Sequence, residues 1–426
     1  MKLRCVLGLL MLGLAGCDAS TGSAPPASEN AASTTGAQIA AGTWRAVVEL
    51  PGGNMPFTMD VLDEQAEGVK AFIINGEERV PVNYLTQDGS RVLIDFPAFN
   101  NRLVMTLDGD RMTGSLTLTK RHGKLQVMPV TMTAGQVHRF FEQPRVANAD
   151  FGGRWRVEFV DDEGEKSIAV ADFVQSGSGV TGTFRTPTGD YRFLDGAVED
   201  RTLYLSTFDG AHAFLFDATM SDDGRLSGNF WSGTEWHETW TAVRDDNAAL
   251  PDANDMTRMN DSTQAFVVEF PNVDGTLVRS NDARFQDKVL IVALAGSWCP
   301  NCHDEAAFLA PFYQAYRDQG LEVLGLMYEH LDDFSEAAAQ VDRFRDKFGI
   351  EYELLVAGSS DKSKASETLP MLNRVIAYPT MIVIDRKGEV RRVHTGFNGP
   401  GTGDKYTEFR REFTAFIEQL LAEEQS

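Results

Sequence analysis

The chain has 426 residues and a formal net charge of −23 at pH 7, because 62 acidic residues outnumber 39 basic ones. So acidic a balance argues against a nucleic-acid-binding protein, which needs a basic surface to neutralise phosphates. We therefore predict no nucleic-acid partner and a strongly solvated surface.

Residues 1–16 are typical of a secretory signal peptide. A basic start is followed by an apolar run from Val6 to Leu14, which is too short to span a bilayer as a mature helix. The segment ends in the letters LAGC at Cys17, which resembles the lipobox of bacterial lipoproteins; there the signal is cut before the Cys, and the thiol carries a diacylglycerol. The alternative is an ordinary signal peptide with an unmodified Cys17. Asp18 resembles an inner-membrane retention signal of enteric bacteria, so we expect an extracytoplasmic lipoprotein on the periplasmic face of the inner membrane rather than on the outer membrane.

The four cysteines of the chain leave one pair for chemistry. Cys5 would leave with the signal peptide, and lipid would block Cys17. Only Cys299 and Cys302 remain, which excludes structural disulfides and a four-cysteine zinc site. We predict no metal and no cofactor.

Residues 17–41 comprise the predicted lipidated Cys and a tether of small and polar residues with two prolines. Such a segment cannot bury a core, so we expect it to be disordered. A flexible chain of ~20 residues spans roughly 25 Å, so the folded part would stand off the membrane.

Residues 42–142 and 150–245 repeat one another. Gly42-Thr-Trp-Arg returns as Gly153-Arg-Trp-Arg, and each copy is a series of short alternating strands separated by Gly, Asp and Asn turns. This pattern predicts two antiparallel β units, each a barrel or a meander. Gly-x-Trp at the first strand resembles the opening of lipocalins, which would imply a ligand or partner pocket. We prefer a spacer and docking module, because no titratable cluster recurs in both copies.

After residue 245 the pattern changes. Residues 246–261 are polar and strand-free, which predicts a linker, and residues 262–426 follow the order of an α/β thioredoxin-like domain. The predicted fold is therefore multidomain, with two repeated β units before this domain. The predicted elements of the domain are a hairpin at 266–280, buried strands at 289–296 and 321–327, helices carrying Phe308 to Tyr316 and Phe334 to Phe348, a hairpin at 380–394, and a last helix carrying Phe409 to Leu421.

The motif Cys299-Pro-Asn-Cys302-His303 has the spacing of a thiol–disulfide oxidoreductase and also that of a c-type haem attachment site. In the haem interpretation His303 and Met371 would be the axial ligands. We prefer the oxidoreductase, because a buried strand runs directly into the motif, whereas a cytochrome would place it in a short helical segment. His303 is then expected to be an exposed helix residue. Gly296 stands where a peroxiredoxin would need Thr.

Residues 262–426 resemble the TlpA/ResA-like family of membrane-anchored thioredoxins. The matching residues are Trp298-Cys299-x-x-Cys302, Glu305, Tyr378-Pro379-Thr380 and Ile384-Asp385-x-x-Gly388. The chain departs from the family at Asn301 and at Ala307, where the family often has Pro.

The start of a helix favours an anion, so Cys299 is predicted to be the exposed nucleophile, with the more buried Cys302 resolving the mixed disulfide. Trp298 would exclude water from one side of the pair. Pro379 is expected to be cis and to bring its loop against the disulfide. The resemblance implies that the backbone of Tyr378 pairs with the bound substrate.

Glu305 is predicted to handle protons for Cys302, because it lies one helical turn further on, at a site expected to be partly exposed. An anionic Glu305 would hold Cys302 as a thiol. The resemblance also implies a functional Glu here. The alternative is an ordinary helix-start carboxylate. Ala293 stands where cytoplasmic thioredoxins carry a buried Asp.

The resemblance implies a lipid-anchored thiol–disulfide oxidoreductase that reduces oxidised protein cysteines or apocytochrome c. Its partners would be protein thiols and disulfides, a membrane electron donor and the membrane itself. The alternative is a lipoprotein whose β units bind a ligand or partner, with the thioredoxin-like domain as a redox-controlled adaptor.

The lipobox interpretation predicts that Cys17→Ser releases the protein from membranes into the soluble extracytoplasmic fraction, since the variant has no thiol to lipidate. Fractionation of cells at high salt measures this. Cys5→Ser is the matched control and should stay on the membrane. A Cys17→Ser variant that also stays there would show that another anchor exists.

Overall fold

Three hydrophobic cores organise the chain, one for each predicted folded unit. The computed structural model describes residues 38–63 and 70–423, so Cys17, the predicted signal peptide and most of the predicted tether lie outside the described residues. Two antiparallel β units precede an α/β thioredoxin-like domain, which confirms the predicted multidomain fold.

The first β unit is a nine-stranded antiparallel sheet in which neighbours along the chain are also neighbours in the sheet. Its first strand pairs with its ninth, so the order is circular except between the fourth and fifth strands. Every second residue of the first strand, from Trp44 to Leu50, is buried, as expected of a strand with one face on a core. The strands are β1 Gly42–Leu50, β2 Gly53–Val61, β3 Ala71–Asn75, β4 Glu78–Val82, β5 Tyr84–Asp88, β6 Arg91–Phe96, β7 Asn101–Asp108, β8 Arg111–Thr119 and β9 Leu125–Ala134.

The second β unit closes completely. Eight of its strands form a hydrogen-bonded ring, since β11 pairs with both β10 and β12, and a short β13 extends the pairing of β12. A ring leaves no unpaired edge, which is how a small barrel satisfies its backbone groups. The strands are β10 Gly153–Asp161, β11 Lys166–Ser176, β12 Gly179–Thr186, β13 Gly189–Asp190, β14 Leu194–Glu199, β15 Thr202–Phe208, β16 Ala213–Met220, β17 Leu226–Ser232 and β18 Trp236–Arg244.

The repeated tryptophan has the same structural role in both units. The indole Nε1 of Trp44 donates to the carbonyl oxygen of Ala40 at 2.8 Å, and Nε1 of Trp155 donates to that of Phe151 at 2.8 Å. Both rings are at most 1% exposed. A buried Trp needs a partner for its N–H, and here the chain four residues earlier supplies it. The repeat therefore places a buried Trp with the same hydrogen bond in each core.

The two β units pack directly against each other. The ring of Phe208 in β15 lies 4.6 Å from that of Phe57 and 5.6 Å from that of Phe96, both in the first unit. The guanidinium of Arg139, on the connection between the units, donates to Asn75 on one side and to the carbonyl of Ser206 on the other. The two β units therefore share an interface of aromatic contacts and hydrogen bonds.

The thioredoxin-like domain is built on a five-stranded sheet in the order β23-β22-β21-β24-β25. Strands β21, β22 and β23 pair in parallel, and β24 pairs antiparallel with both β21 and β25. The predicted order of elements is present, together with α1, β23 and α4, which were not predicted. Among the described residues no helix is long and apolar enough to cross a membrane. The elements are α1 Ala253–Met256, β19 Glu269–Pro271, β20 Leu277–Arg279, β21 Val289–Ala295, α2 Pro300–Tyr316, β22 Leu321–Glu329, α3 Phe334–Phe348, β23 Glu353–Ser359, α4 Lys362–Thr368, β24 Thr380–Ile384, β25 Val390–Thr395 and α5 Asp404–Ala422.

The segment predicted as a linker, residues 246–261, is bound to the third domain. The backbone N–H of Thr257 donates to Thr395 Oγ1 in β25, and the amide of Asn260 donates to the carbonyl oxygens of Pro370 and Leu372. Its polar side chains thus satisfy backbone groups of the domain, which explains why a sequence with no strand pattern is nevertheless held in place.

Candidate active site

The motif lies where the central strand of the third domain meets a helix. All seven residues of β21 are buried, so the strand is held on both faces and delivers Cys299 to the start of α2. Cys299 is the N-cap: its Sγ accepts a hydrogen bond from the backbone N–H of Cys302 at 3.2 Å, and Pro300 occupies the first helical position. The two cysteines are joined as a disulfide with their Cα atoms 5.2 Å apart.

The prediction that Cys299 is exposed is wrong in this state of the protein. Cys299 is 5% exposed and Cys302 is fully buried. The helix-start position does favour an anionic sulfur, because unpaired N–H groups point at it. The loop that carries Tyr378 contributes to this burial, because the Tyr378 carbonyl oxygen lies 3.5 Å from Cys299 Sγ.

The loop before β24 lies against the disulfide. The peptide bond between Tyr378 and Pro379 is cis, as predicted, and the carbonyl oxygen of Tyr378 lies 3.5 Å from Cys299 Sγ. The Trp298 ring meets the Tyr378 ring edge-on at 5.8 Å and stacks on His330 at 4.3 Å, while its Nε1 donates to the carbonyl of Tyr328. The structure therefore brings together the residues predicted to contact substrate.

Glu305 is buried, contrary to the expectation of a partly exposed carboxylate. It is 2% exposed, and its Oε1 has no hydrogen-bond partner among the described residues. Burial raises the pKa of Glu305 to about 8. This shift favours the neutral acid, which can donate a proton, over the expected anionic Glu305.

A second buried carboxyl group, which the sequence analysis missed, lies beside the motif. Glu329 ends β22, is 1% exposed, and accepts hydrogen bonds from the backbone N–H and the hydroxyl of Ser297 at 2.9 and 2.6 Å. Burial raises the pKa of Glu329 to about 7, although the bonds from Ser297 oppose this. The sequence signal that could have identified Glu329 is a single carboxylate at the end of an apolar strand. Glu329 holds the residue two positions before Cys299.

The expectation that His303 is an exposed helix residue is wrong. His303 is buried, its ring stacks on Phe99 of the first β unit at 3.9 Å, Nε2 donates to the carbonyl of Ser297 at 2.6 Å, and Nδ1 accepts from Lys347 Nζ at 2.9 Å. Burial and the Lys347 ammonium lower the pKa of His303 well below its ordinary value. Both ring nitrogens of this neutral His are engaged, so neither is free for the haem iron of the alternative interpretation. Met371, the second axial ligand in the haem interpretation, is buried in the core of the same domain.

Both β units contact the face of the domain that carries the motif. From the first unit, the carbonyls of Pro97 and Ala98 accept hydrogen bonds from the Gln340 amide of α3 at 3.0 and 2.7 Å. From the second unit, the Asp190 carbonyl accepts a hydrogen bond from Asn301, which lies between the two cysteines, at 3.2 Å. The β units are thus part of the surroundings of the redox pair.

Comparison with known proteins concerns only this third domain. The sequence model of the Redoxin family matches residues 246–408. Thiol-disulfide oxidoreductase ResA of Geobacillus kaustophilus is 25% identical over 112 residues, which are 26% of this chain and 57% of that protein. ResA of Halalkalibacterium halodurans is 26% identical over 146 residues, or 33% of this chain and 70% of that protein. A solved structure, a thiol:disulfide interchange protein of the thioredoxin family from Chlorobium tepidum TLS, is 20% identical with a TM-score of 0.30, covering 39% of this chain and 100% of that one.

Residues 246–408 are a TlpA/ResA-like thioredoxin segment. The matched residues include the predicted linker, which is docked on the domain, and end within α5. The family match leaves both β units outside it. The chain spans little more than half of the Geobacillus relative, 57% of its length.

In the TlpA/ResA-like segment, two residues near the motif differ from those expected in related proteins. Asn301, which replaces the Pro often found before the second Cys, donates to the second β unit. Ala293, which replaces the buried Asp of cytoplasmic thioredoxins, is 3% exposed in β21 and supplies no carboxylate. Asp304, Glu305 and Glu329 are buried or largely buried acids near the motif, and burial raises the pKa of all three.

We predict that replacing Glu305 by Gln removes a pH dependence of stability. Because folding raises the pKa of Glu305 from 4.5 to about 8, its contribution is fully present below pH 4.5 and is lost as the pH rises through 8. Wild type should therefore lose on the order of 3 kcal/mol relative to Glu305→Gln between pH 5 and pH 9. Urea unfolding at pH 5, 7 and 9 measures the difference.

The exposed Glu367 provides the matched control, because Glu367→Gln should follow the wild-type profile. A constant difference between wild type and Glu305→Gln across the pH range would mean that Glu305 ionises as a solvated carboxylate does.

Proposed function

We propose that the protein is an extracytoplasmic thiol–disulfide oxidoreductase whose redox pair is Cys299 and Cys302. The observation that carries this proposal is the disulfide at the start of α2 with the cis-Pro379 loop against it. Further support comes from the relatives of this segment, which are named thiol-disulfide oxidoreductases. A carbonyl beside the sulfur, here that of Tyr378, suits a site that receives an extended peptide.

In the proposed reaction the reduced pair transfers two electrons to a substrate disulfide. The Cys299 thiolate attacks one substrate sulfur, the substrate S–S bond breaks, and the leaving thiolate takes up a proton. Cys302 then loses its proton and attacks Cys299 Sγ, which breaks the mixed disulfide and releases the second substrate thiol. The protein is left as the disulfide, and an external dithiol must reduce it before the next turnover.

Glu305 is the proposed proton donor and acceptor for Cys302. A carboxyl group with a pKa of about 8 is close to the pKa of a thiol, so proton transfer between them is nearly balanced in free energy. Burial also keeps bulk water from competing for the proton. Glu329 would position the Trp298 side of the motif through Ser297 rather than touch the sulfurs.

The direction we propose is reduction of oxidised protein cysteines, with apocytochrome c as one candidate substrate by resemblance to the family. We further propose a lipid anchor at Cys17 on the periplasmic face of the inner membrane. A membrane electron donor would then return the pair to the dithiol.

One observation favours a second candidate, a ligand-binding lipoprotein with the third domain as a redox-controlled adaptor. A cavity of about 490 Å³ lies between the first β unit and α3, lined by aromatic side chains that include Tyr84, Phe96 and Phe348, together with Lys347. Turnover on protein disulfides supports the first candidate. A small molecule retained in this cavity through purification, without any such turnover, supports the second.

The order of attack tests the proposal. Cys302→Ser should trap stable mixed disulfides with oxidised substrate proteins, because Cys299 attacks at the helix start and nothing resolves the product. Cys299→Ser should trap at least tenfold less. Non-reducing electrophoresis followed by mass spectrometry counts the trapped species. Equal trapping by the two variants, or the reverse order, contradicts the assignment.

The proton-transfer role of Glu305 is tested by kinetics. Glu305→Gln should slow exchange with a model disulfide by roughly 10²-fold at pH 7, since a positioned acid–base group typically contributes at least that much. It should also remove an inflection near pH 8 from the rate profile. Stopped-flow measurements between pH 5 and 9 decide this, with Glu367→Gln as the control. If the rate profile of Glu305→Gln matches that of wild type, Glu305 has only a structural role.

A further inference from the structure

Arg192 is a side chain of the second β unit that reaches the redox helix. It lies in the connection between β13 and β14, with a backbone φ of 56° and its N–H bonded to Asp190 Oδ1 at 2.7 Å. A non-glycine residue in the left-handed region is strained, and such residues persist where the surroundings require them. The backbone of Gly401 packs closely on the Arg192 backbone, where a Cβ on Gly401 would clash.

The Arg192 guanidinium contacts α2 on both sides of Cys302. Its Nη1 donates to the carbonyl oxygen of Pro300 at 3.3 Å and forms an ion pair with Asp304. Pro300 lies between the two cysteines, and Asp304 follows them in the first turns of the helix. A change in this contact therefore acts directly on the turn that carries the disulfide.

The same guanidinium joins all three folded units through carboxylates. Besides Asp304, it lies 2.5 Å from Glu78 Oε1 in the first β unit and 3.2 Å from Asp209 Oδ2 in the second. The four side chains are between 2% and 13% exposed. Arg is effectively always charged, so the cluster places one permanent cation and three carboxyl groups beside α2. Burial raises the pKa of Asp304 to about 7, although Arg192 opposes this.

Stability alone gives no reason for such a cluster. Well-packed apolar residues of similar volume often stabilise a protein as well as a buried ion group does, because desolvation of the charges is costly. An electrostatic effect on the neighbouring helix is different, because charges act strongly where water is excluded. Reduction of the disulfide creates a thiol at Cys299 that ionises at the helix start. A nearby cation stabilises that thiolate, and a nearby anion destabilises it.

We propose that Arg192 is a positioning residue for the redox pair: it holds the first turns of α2 and raises the reduction potential of the Cys299–Cys302 disulfide, while Glu78 opposes it. The two β units would thus set the potential with side chains of opposite charge. The inference rests on the proposed oxidoreductase function and adds how the β units take part in it. Lys347 and Asp190 are further charged groups near the cluster and remain unchanged in the test below.

The test uses the full-length protein equilibrated with mixtures of reduced and oxidised glutathione at pH 7, with the dithiol fraction counted by mass-tagging of thiols. Arg192→Gln should lower the equilibrium constant for forming the dithiol by about tenfold, which is about 30 mV for a two-electron couple. Glu78→Gln should raise the same constant by a similar factor. Arg192→Lys keeps the charge and should stay within about threefold of wild type.

Arg185 provides the matched control. It belongs to the same β unit, its side chain is 7% exposed, and it pairs with Asp172 at 2.9 Å within that unit. Arg185→Gln therefore removes a buried arginine of the second unit without removing a contact with α2, and should leave the equilibrium constant unchanged.

The opposite signs expected for Arg192→Gln and Glu78→Gln separate an electrostatic role from simple loss of docking, which would shift both variants in one direction. Shifts in the same direction, or no shift in either, overturn the inference. If Arg192→Gln does not fold, as judged by circular dichroism, Glu78→Gln still decides the sign: a lowered or unchanged equilibrium constant in that variant overturns the inference. If the wild-type protein exchanges with no disulfide at all, the proposed function itself is overturned. If the wild-type protein exchanges normally and the variants show no shift, only the role of Arg192 is overturned.

Discussion

The start of α2 is the constraint on which the rest of the site depends. A buried strand ends there, and a helix begins whose first N–H groups have no partners of their own. Cys299 satisfies one of them as the N-cap, and the disulfide, the cis-Pro379 loop and the buried Glu305 are all placed relative to this turn. A sulfur at such a position is stabilised when it becomes a thiolate, so the same geometry that begins the helix also prepares the chemistry.

The two β units meet the domain at this turn. Phe99 of the first unit stacks on His303, and Asp190 of the second accepts a bond from Asn301, so three parts of the chain share one interface. Cys299 itself, beside this interface, is only 5% exposed. Attack by a protein substrate would then need local opening of that interface or a narrow extended segment entering beside Tyr378. In either case the β units would restrict which disulfides reach the sulfur.

Most of the fold could be predicted because its signals are local. Alternating strands, turn residues and the repeated Gly-x-Trp indicated two β units, and apolar runs indicated the order of the third domain. Whether each unit closes could not be predicted, since closure of the second depends on the pairing of β11 with β12. β23 was missed although it contains a short apolar run. The docked state of residues 246–261 was also missed, because their hydrogen bonds go to residues more than 100 positions away.

For the site, the sequence by itself determined which reactive groups are available: two cysteines at helix-start spacing, a following Glu one turn away, and a distant proline predicted to be cis. These features are carried by residue type and by short spacing, which the chain cannot alter by folding. Only the tertiary structure decided the environment. It buried Glu305, placed His303 against Phe99, and brought the guanidinium of Arg192 together with carboxylates from all three units. Burial and long-range charge depend on which surfaces meet, and no local pattern records that.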